Sequence, residues 1–186
     1  MALVSMPLKI ENTSPSRVQH LVIVAGGKGT RLAAVAGVVP KVLVPVGGKP
    51  VLQHQLELAA AAGIHAVTIL AGYRADQITA FIGDGSRFGV KAQVSVEQEP
   101  MGNAGALLQA LDALPEEFFV LYGDVMLAID LPCMAKDHIG RQADVTVMVH
   151  PNDHPYDSDL SAIPLQRRWR MPRRWTTPWC GKRSRC

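Results

Sequence analysis

The sequence of 186 residues lacks any apolar run of 18 or more residues, which excludes a segment with the length and hydropathy of a transmembrane helix. Its three cysteines show neither metal-ligand spacing nor the pattern of a disulfide framework: Cys133, Cys180 and Cys186. The N-terminus has no basic region before its apolar residues, so it does not resemble a signal peptide. These absences favour a cytoplasmic protein with reduced thiols and no membrane partner.

Acidic residues are absent from the end of the chain. Residues 161–186 contain eight of the 19 Lys and Arg, none of the 16 Asp and Glu, and all three tryptophans. The net charge of +3 therefore arises from this tail, and residues 1–160 are mildly acidic. A nucleic-acid function argued from the overall charge would not apply to the body of the protein.

The tail at 161–186 has two interpretations. Its Trp–Arg clusters are compatible with a basic, aromatic segment that contacts nucleic acid or membrane. Alternatively, it is disordered or out-of-frame sequence, because it has too few aliphatic residues to offset the entropy of ordering. The second interpretation is favoured, so no nucleic-acid partner is expected.

Strand-like and helix-like segments alternate through the body of the chain. The predicted strands are 20–25, 65–72, 91–98, 118–124 and 143–150, and the predicted helices are 49–63, 74–85, 103–114 and 131–142. This alternation predicts an α/β fold with a mostly parallel central sheet covered on both faces, in three layers. The expected organisation is a loose lead-in at 1–18, one domain at 19–160 and the tail at 161–186.

Three predicted strands end in unusual sequence: Ala25-Gly26-Gly27, residues 98–102 and Tyr122-Gly123-Asp124. Ligands of open parallel sheets bind beyond the carboxyl ends of the strands. We therefore expect these three segments to share one edge of the sheet and to form the functional site.

The first of these segments belongs to the glycine-rich stretch "LVIVAGGKGTRL" at 21–32. A P-loop requires Lys followed by Ser or Thr, whereas Lys28 precedes Gly29. A dinucleotide fingerprint requires Gly or Ala at position 32, which is Leu32. A plain strand-to-helix turn remains open, although it needs one glycine rather than three flanked by two cations.

A loop that wraps a triphosphate explains this composition best. Glycines allow backbone N–H groups to approach phosphates closely, and this loop has three: Gly26, Gly27 and Gly29. Arg31 offers a bidentate fork for phosphate oxygens. Lys41 follows Pro40, which restrains its backbone, and could neutralise a second phosphate-bearing substrate; alone it would be an ordinary surface lysine.

Four motifs, in this order and spacing, resemble the sugar-1-phosphate nucleotidylyltransferases: "LVIVAGGKGTRL", "PKVLVPVGGKPVL", "EQEPMGNAGAL" and "YGDVM". The sequence is most similar to the branch that contains the mannose-1-phosphate and D-glycero-D-manno-heptose-1-phosphate guanylyltransferases, over residues 20–160. The resemblance implies a Rossmann-like nucleotide-diphospho-sugar transferase fold. It also implies that an NTP, with GTP favoured, and a sugar 1-phosphate give an NDP-sugar and pyrophosphate, with Mg²⁺ as cofactor.

The same resemblance assigns roles to individual residues. It implies nucleotide binding by Ala25, Gly26, Gly27, Gly29, Thr30, Glu99 and Gly102. It implies that Arg31 and Lys41 are catalytic through their charge on the reacting phosphates, and that Asp124 holds Mg²⁺. No general base is needed, because the nucleophile is already an anionic phosphate oxygen.

The sequence also departs from the family pattern. The family supplies a second metal-binding aspartate and much of its sugar pocket from sequence beyond this body, where this chain has the Trp–Arg tail. We therefore expect a C-terminally truncated fold, and a non-catalytic nucleotide- or sugar-nucleotide-binding subunit or an inactive copy is the alternative to an enzyme. The base, the sugar and the oligomeric state stay open, and a homo-oligomer is compatible with the sequence.

Overall fold

The computed structural model of the chain describes residues 18–26, 39–97 and 102–148, without the side chain of Asn103. Six strands lie in these ranges: β1 (His20–Val24), β2 (Pro45–Val46), β3 (Lys49–Pro50), β4 (Ala66–Ala71), β5 (Lys91–Val96) and β6 (Phe119–Tyr122). The α-helices are α1 (Val51–Ala61), α2 (Ala75–Ile82), α3 (Gly102–Ala110) and α4 (Leu131–Gly140). Short 3-10 helices lie at Lys41–Leu43, Ser86–Phe88 and Leu111–Ala113.

Four strands form one sheet in the order β5-β4-β1-β6, and every pair in it is parallel. Each crossover contains a helix, as parallel pairing requires. The α/β fold with a parallel central sheet is therefore confirmed. The alternation at 143–150 predicts a strand, and this prediction is wrong for residues 143–148. In the structure these residues make only an isolated bridge, at Val145. A strand requires a continuous ladder with a neighbour, which alternation alone does not supply.

Helices cover both faces of this sheet. On one face, Val22, Val24 and Val120 pack against Ala106 and Ala110 of α3. The opposite face contributes alternate residues of the same strands, such as Leu21, Ile23 and Leu121, which pack into the core formed with α1, α2 and α4. The two clusters account for the three-layer arrangement, since successive strand residues point to opposite faces.

β2 and β3 form a hairpin with a two-residue loop, and α1 follows directly. Gly47 and Gly48 form its loop, and both have positive φ values, 59° and 84°. Two successive positive φ values are those of a type I′ turn, which glycine adopts without strain. The predicted helix at 49–63 is therefore confirmed only from Val51 onward, because Lys49 and Pro50 belong to the hairpin.

Two further observations concern the hydropathy of the helices and the state of a cysteine. Among the described residues, no helix combines the length and hydropathy needed to cross a membrane. The expectation of reduced thiols is wrong for Cys133, whose sulfur is in a disulfide bond. Cys180 and Cys186 lie outside the described residues.

Candidate active site

The strand order creates a crevice at one edge of the sheet. β1 lies between β4 on one side and β6 on the other, so the chain winds in opposite directions from β1. In parallel sheets, ligands bind beyond the carboxyl ends of the two strands at such a switch point. Here those ends are Val24 of β1 and Tyr122 of β6, which pair directly.

Backbone hydrogen bonds extend the sheet beyond these two strands. Ala25 N donates to Leu70 O at 2.7 Å, which ties the end of β1 to β4. Gly123 N donates to Val24 O at 2.9 Å, which ties the turn after β6 to β1. Gly26 and Asp124 therefore follow two strand ends that are held side by side, as the sequence predicts for two of the three segments.

Lys41 and Asp124 meet at this edge. Lys41 Nζ lies 3.4 Å from Asp124 Oδ2, although 83 residues separate them in the sequence. Lys41 begins a 3-10 helix after the buried Pro40, and Leu43 N donates to Pro40 O at 2.9 Å. Their side chains are 28% and 51% exposed, so both groups remain accessible to a ligand.

Glu97 is a residue of this edge that the sequence analysis missed. It follows β5, and its backbone N donates to Ala71 O at 2.8 Å. A Cβ built on Gly26 would lie 3.0 Å from Glu97 Oε1, and one on Gly72 would lie 3.3 Å from Oε2. The carboxylate therefore lies against the backbone at the ends of β1 and β4. The sequence analysis placed Glu97 inside the predicted strand 91–98, whereas β5 ends at Val96, so a strand end one residue after Val96 was the missing signal.

The other predicted site residues divide into two groups. Gly102 is exposed and begins α3 with a φ of 71°, a backbone conformation that favours glycine. Gly27, Gly29, Thr30, Arg31 and Glu99 lie outside the described residues. Their roles therefore stay predictions, whereas the meeting of Lys41 with Asp124 is an observation.

The acidic residues of this edge can be compared with the needs of Mg²⁺. Within the described ranges, no group of three or more His, Cys, Asp or Glu side chains is arranged to hold a metal. Mg²⁺ commonly takes one or two carboxylates and completes its coordination with substrate phosphates and water. The half-exposed carboxylate of Asp124, beside a cation suited to phosphate, fits this kind of shared site.

A parallel sheet with a switch-point crevice that contains a lysine, an aspartate and a glycine-rich strand end suits a phosphate-bearing ligand. The model of the nucleotidyl transferase family matches residues 20–158. The chain belongs to this family. The resemblance drawn from the four motifs is therefore confirmed.

Two curated relatives extend this result. The chain is 46% identical over 100 residues to a glucose-1-phosphate thymidylyltransferase of Streptomyces griseus, covering 54% of this chain and 28% of the relative. It is 34% identical over 131 residues to a D-glycero-alpha-D-manno-heptose 1-phosphate guanylyltransferase of Aneurinibacillus thermoaerophilus, covering 70% and 56%. The chain thus spans between about a quarter and a little over half the length of these curated relatives.

Among solved structures, the chain is similar to HddC from Yersinia pseudotuberculosis complexed with GMP-PN. The TM-score is 0.60 at 25% identity, over 80% of this chain and 74% of that one. This agreement confirms the Rossmann-like fold of the family. The relatives differ in the nucleotide that their names give, one thymidylyl and one guanylyl.

Proposed function

We propose that this chain is a sugar-1-phosphate nucleotidylyltransferase that uses GTP. The observation that carries the proposal is the pairing of Lys41 with Asp124 beside the ends of β1 and β6. A phosphate oxygen of the sugar 1-phosphate would form a bond to the α-phosphorus of the nucleotide. The bond between that phosphorus and the oxygen bridging to the β-phosphate would break, and pyrophosphate would leave.

The chemistry calls for charge neutralisation and alignment rather than proton transfer. Two polyanions must meet in line, so cations placed at the reacting phosphates lower the barrier. The Lys41 ammonium would neutralise charge on these phosphates, and Arg31 would hold the oxygens that leave as pyrophosphate. Mg²⁺, when bound by Asp124 and the nucleotide, would supply further neutralisation and orient the α-phosphate.

The nucleotide would lie along the edge from the glycine loop toward Glu97. Ala25, Gly26, Gly27, Gly29 and Thr30 would contact it through the backbone, with Glu99 and Gly102 near the base and ribose. Guanine presents adjacent N1–H and N2–H donors, which a carboxylate accepts. The carboxylate of Glu97, against Gly26 and Gly72, supports GTP over nucleotides without this donor pair.

In this proposal residues 19–160 are the catalytic domain, and the protein acts in the cytoplasm, where nucleoside triphosphates and sugar phosphates occur. The similarity to one protein whose name gives guanylyl transfer to a D-glycero-alpha-D-manno-heptose 1-phosphate supports an acceptor of the heptose or the related mannose type. Because the chain covers only part of these relatives, the acceptor must be determined directly.

Pyrophosphate release tests the proposal. The chain is incubated with Mg²⁺, each of GTP, dTTP, ATP, CTP and UTP, and a panel of sugar 1-phosphates, with Lys41→Met as the matched inactive control. We expect release with GTP and one acceptor, and its loss in the variant. Thermal stabilisation by GTP without pyrophosphate would instead support a nucleotide-binding subunit, and neither response would reject both functions.

A further inference from the structure

Gln55 is a buried polar residue on the apolar side of α1. It is only 3% exposed, and its amide nitrogen Nε2 donates to Tyr122 O and to Val125 O, each at 2.8 Å. Both partners are carbonyl oxygens, which only the NH₂ end of an amide can satisfy. The orientation of the Gln55 amide is therefore fixed by its partners, and both of its donors are used.

These two carbonyls are the ends of the turn that carries Asp124. Val125 N donates to Tyr122 O at 3.2 Å, which closes a four-residue turn with Gly123 and Asp124 at its centre. The turn directly follows the end of β6, and the two Gln55 donors add to the hydrogen bond that closes it. Gln55 thus binds both ends of the turn from a helix more than 60 residues earlier in the chain.

The same helix also supports the segment that presents Lys41. Val51 N, at the start of α1, donates to Val44 O at 3.2 Å, directly after the 3-10 helix that Lys41 begins. Lys49 Nζ lies 2.9 Å from Glu57 Oε1 and fastens the β2–β3 hairpin to α1. α1 is therefore a common support for both members of the Lys41–Asp124 pair.

The carbonyl oxygen of the Gln55 side chain indicates that this residue is present for more than packing. Gln55 Oε1 is buried and has no hydrogen-bond partner among the described residues. An unpaired buried acceptor destabilises a fold, and an apolar side chain would avoid that loss. Such a local conflict is expected where a residue serves a functional site.

We propose that Gln55 is a positioning residue, which clamps the turn at 122–125 and so sets the direction in which Asp124 presents its carboxylate. The ligand served is a divalent cation bound together with the nucleotide phosphates. Gln55 acts through Asp124 and contacts no reactant itself. This inference rests on the proposed function and adds to it the residue on which the metal-binding geometry depends.

The test compares Gln55→Met with Gln93→Met in the full 186-residue chain. Met has nearly the length of Gln but no donor. Gln93 also donates through Nε2, at 3.1 Å to Thr68 Oγ1, but it is exposed and lies within the sheet away from the turn, so it controls for the loss of an amide donor elsewhere in the fold. Mn²⁺ binding in the presence of GTP, without sugar phosphate, is measured by electron paramagnetic resonance.

We expect Gln55→Met to weaken Mn²⁺ binding about 10-fold, as loss of a residue that orients a metal ligand does. In turnover at limiting Mg²⁺, kcat/KM for GTP should fall and recover part of the loss as Mg²⁺ is raised, because the cation and the nucleotide bind together. Gln93→Met should match the wild type in both assays. Equal Mn²⁺ affinity in the two variants would overturn the inference and leave the proposed function standing. A wild-type chain that binds no Mn²⁺ with GTP would reject the proposed function and this role of Gln55 with it.

Gln55→Glu provides a second test should Gln55→Met fail to fold. An ionised carboxylate would face two carbonyl oxygens, whereas the protonated acid can donate to one of them. Activity relative to wild type should therefore recover as the pH falls from about 8 to about 6. A relative activity that stays constant over this range would overturn the inference.

Discussion

Gly123 packs directly against Val42. A Cβ built on Gly123 would lie 2.5 Å from Val42 Cγ1, closer than two carbon atoms approach, and 3.0 Å from Val24 O. Val42 is the middle residue of the 3-10 helix that Lys41 begins, and Gly123 precedes Asp124. The absence of a side chain at position 123 therefore lets the Lys41 segment rest on the Asp124 turn, which brings the two charges together.

Gly123→Ala should disrupt this arrangement. The added methyl group displaces the 3-10 helix or the turn, and overpacking of this kind destabilises a fold by about 1–3 kcal/mol. Misplacement of Lys41 relative to Asp124 should lower kcat by about 100-fold. Urea denaturation and pyrophosphate release measure the two effects.

Gly140→Ala is the matched control for that substitution, since a Cβ on Gly140 meets nothing within 4 Å. It should leave both measurements close to wild type. Adding Val42→Ala to Gly123→Ala removes the shortest contact and should restore part of the stability. Equal effects of the substitutions at Gly123 and Gly140 would contradict the packing argument.

Lys41 should contribute to catalysis and little to stability. Its ion pair with Asp124 is exposed at both ends, and such pairs contribute about 0–1 kcal/mol to folding. Lys41→Met should nevertheless lower kcat by about 100-fold or more, because the ammonium neutralises the reacting phosphates. Arg141→Met, which removes the exposed ion pair with Asp137 in α4, is the control and should keep kcat. Similar losses of kcat in both variants would argue against a specific role for Lys41.

The positions of Gly26 and Asp124 after neighbouring strand ends could be predicted from the sequence, whereas contacts that depend on packing could not. Lys41 and Asp124 were identified from motifs, and the parallel topology explains how two segments 83 residues apart can meet. Gln55 recurs with Leu52 and Leu56 at apolar helix positions, which is a signal of a buried polar group. Its partners in the turn at 122–125, however, could not be inferred from helical spacing.

Local sequence patterns also failed to predict two features of the fold. The Gly47-Gly48 pair between two short extended segments was a readable hairpin signal, but the helical pattern at 49–63 obscured it. At 143–148 the alternation of apolar and polar residues was clear, but strand formation depends on a neighbour from elsewhere in the chain. The periodicity of a sequence indicates which face of a strand is buried, whereas the pairing of that strand with a neighbour depends on the tertiary structure.

Stability should fall in mildly acidic solution because of His138. This side chain is 1% exposed in α4, and its Nδ1 lies 2.8 Å from Thr146 Oγ1. Burial lowers its pKa from the ordinary 6.5, although the charges of Glu117, Asp144 and Asp137 oppose the shift. The unfolded chain therefore binds the proton more readily than the folded chain. The contribution of the neutral His138 ring to stability is complete above pH 6.5 and declines as the pH falls toward the pKa of the folded state.

Urea denaturation at several values between about pH 8 and about pH 5 measures this dependence. His138→Gln should reduce the decline, because the titrating group is removed. Burial also lowers the pKa of His20, whose Nε2 lies 2.9 Å from Thr68 Oγ1, so His20→Gln should reduce the decline independently. An unchanged pH dependence in both variants would contradict the assignment to these buried rings.

Glu97 should determine which nucleotide is preferred. Its carboxylate lies against Gly26 and Gly72 and accepts hydrogen bonds only, which matches the paired N–H donors of guanine. Thymine instead presents one N–H donor between two carbonyl oxygens, which an amide can match with its own acceptor and donor. Glu97→Gln should therefore lower kcat/KM for GTP and raise it for dTTP, so that the ratio of the two values changes by about 10-fold or more.

Parallel assays with GTP and dTTP measure this ratio directly. Glu116→Gln alters an exposed carboxylate before β6 and should leave the ratio unchanged. Equal losses with both nucleotides would show that Glu97 supports the edge of the sheet without reading the base.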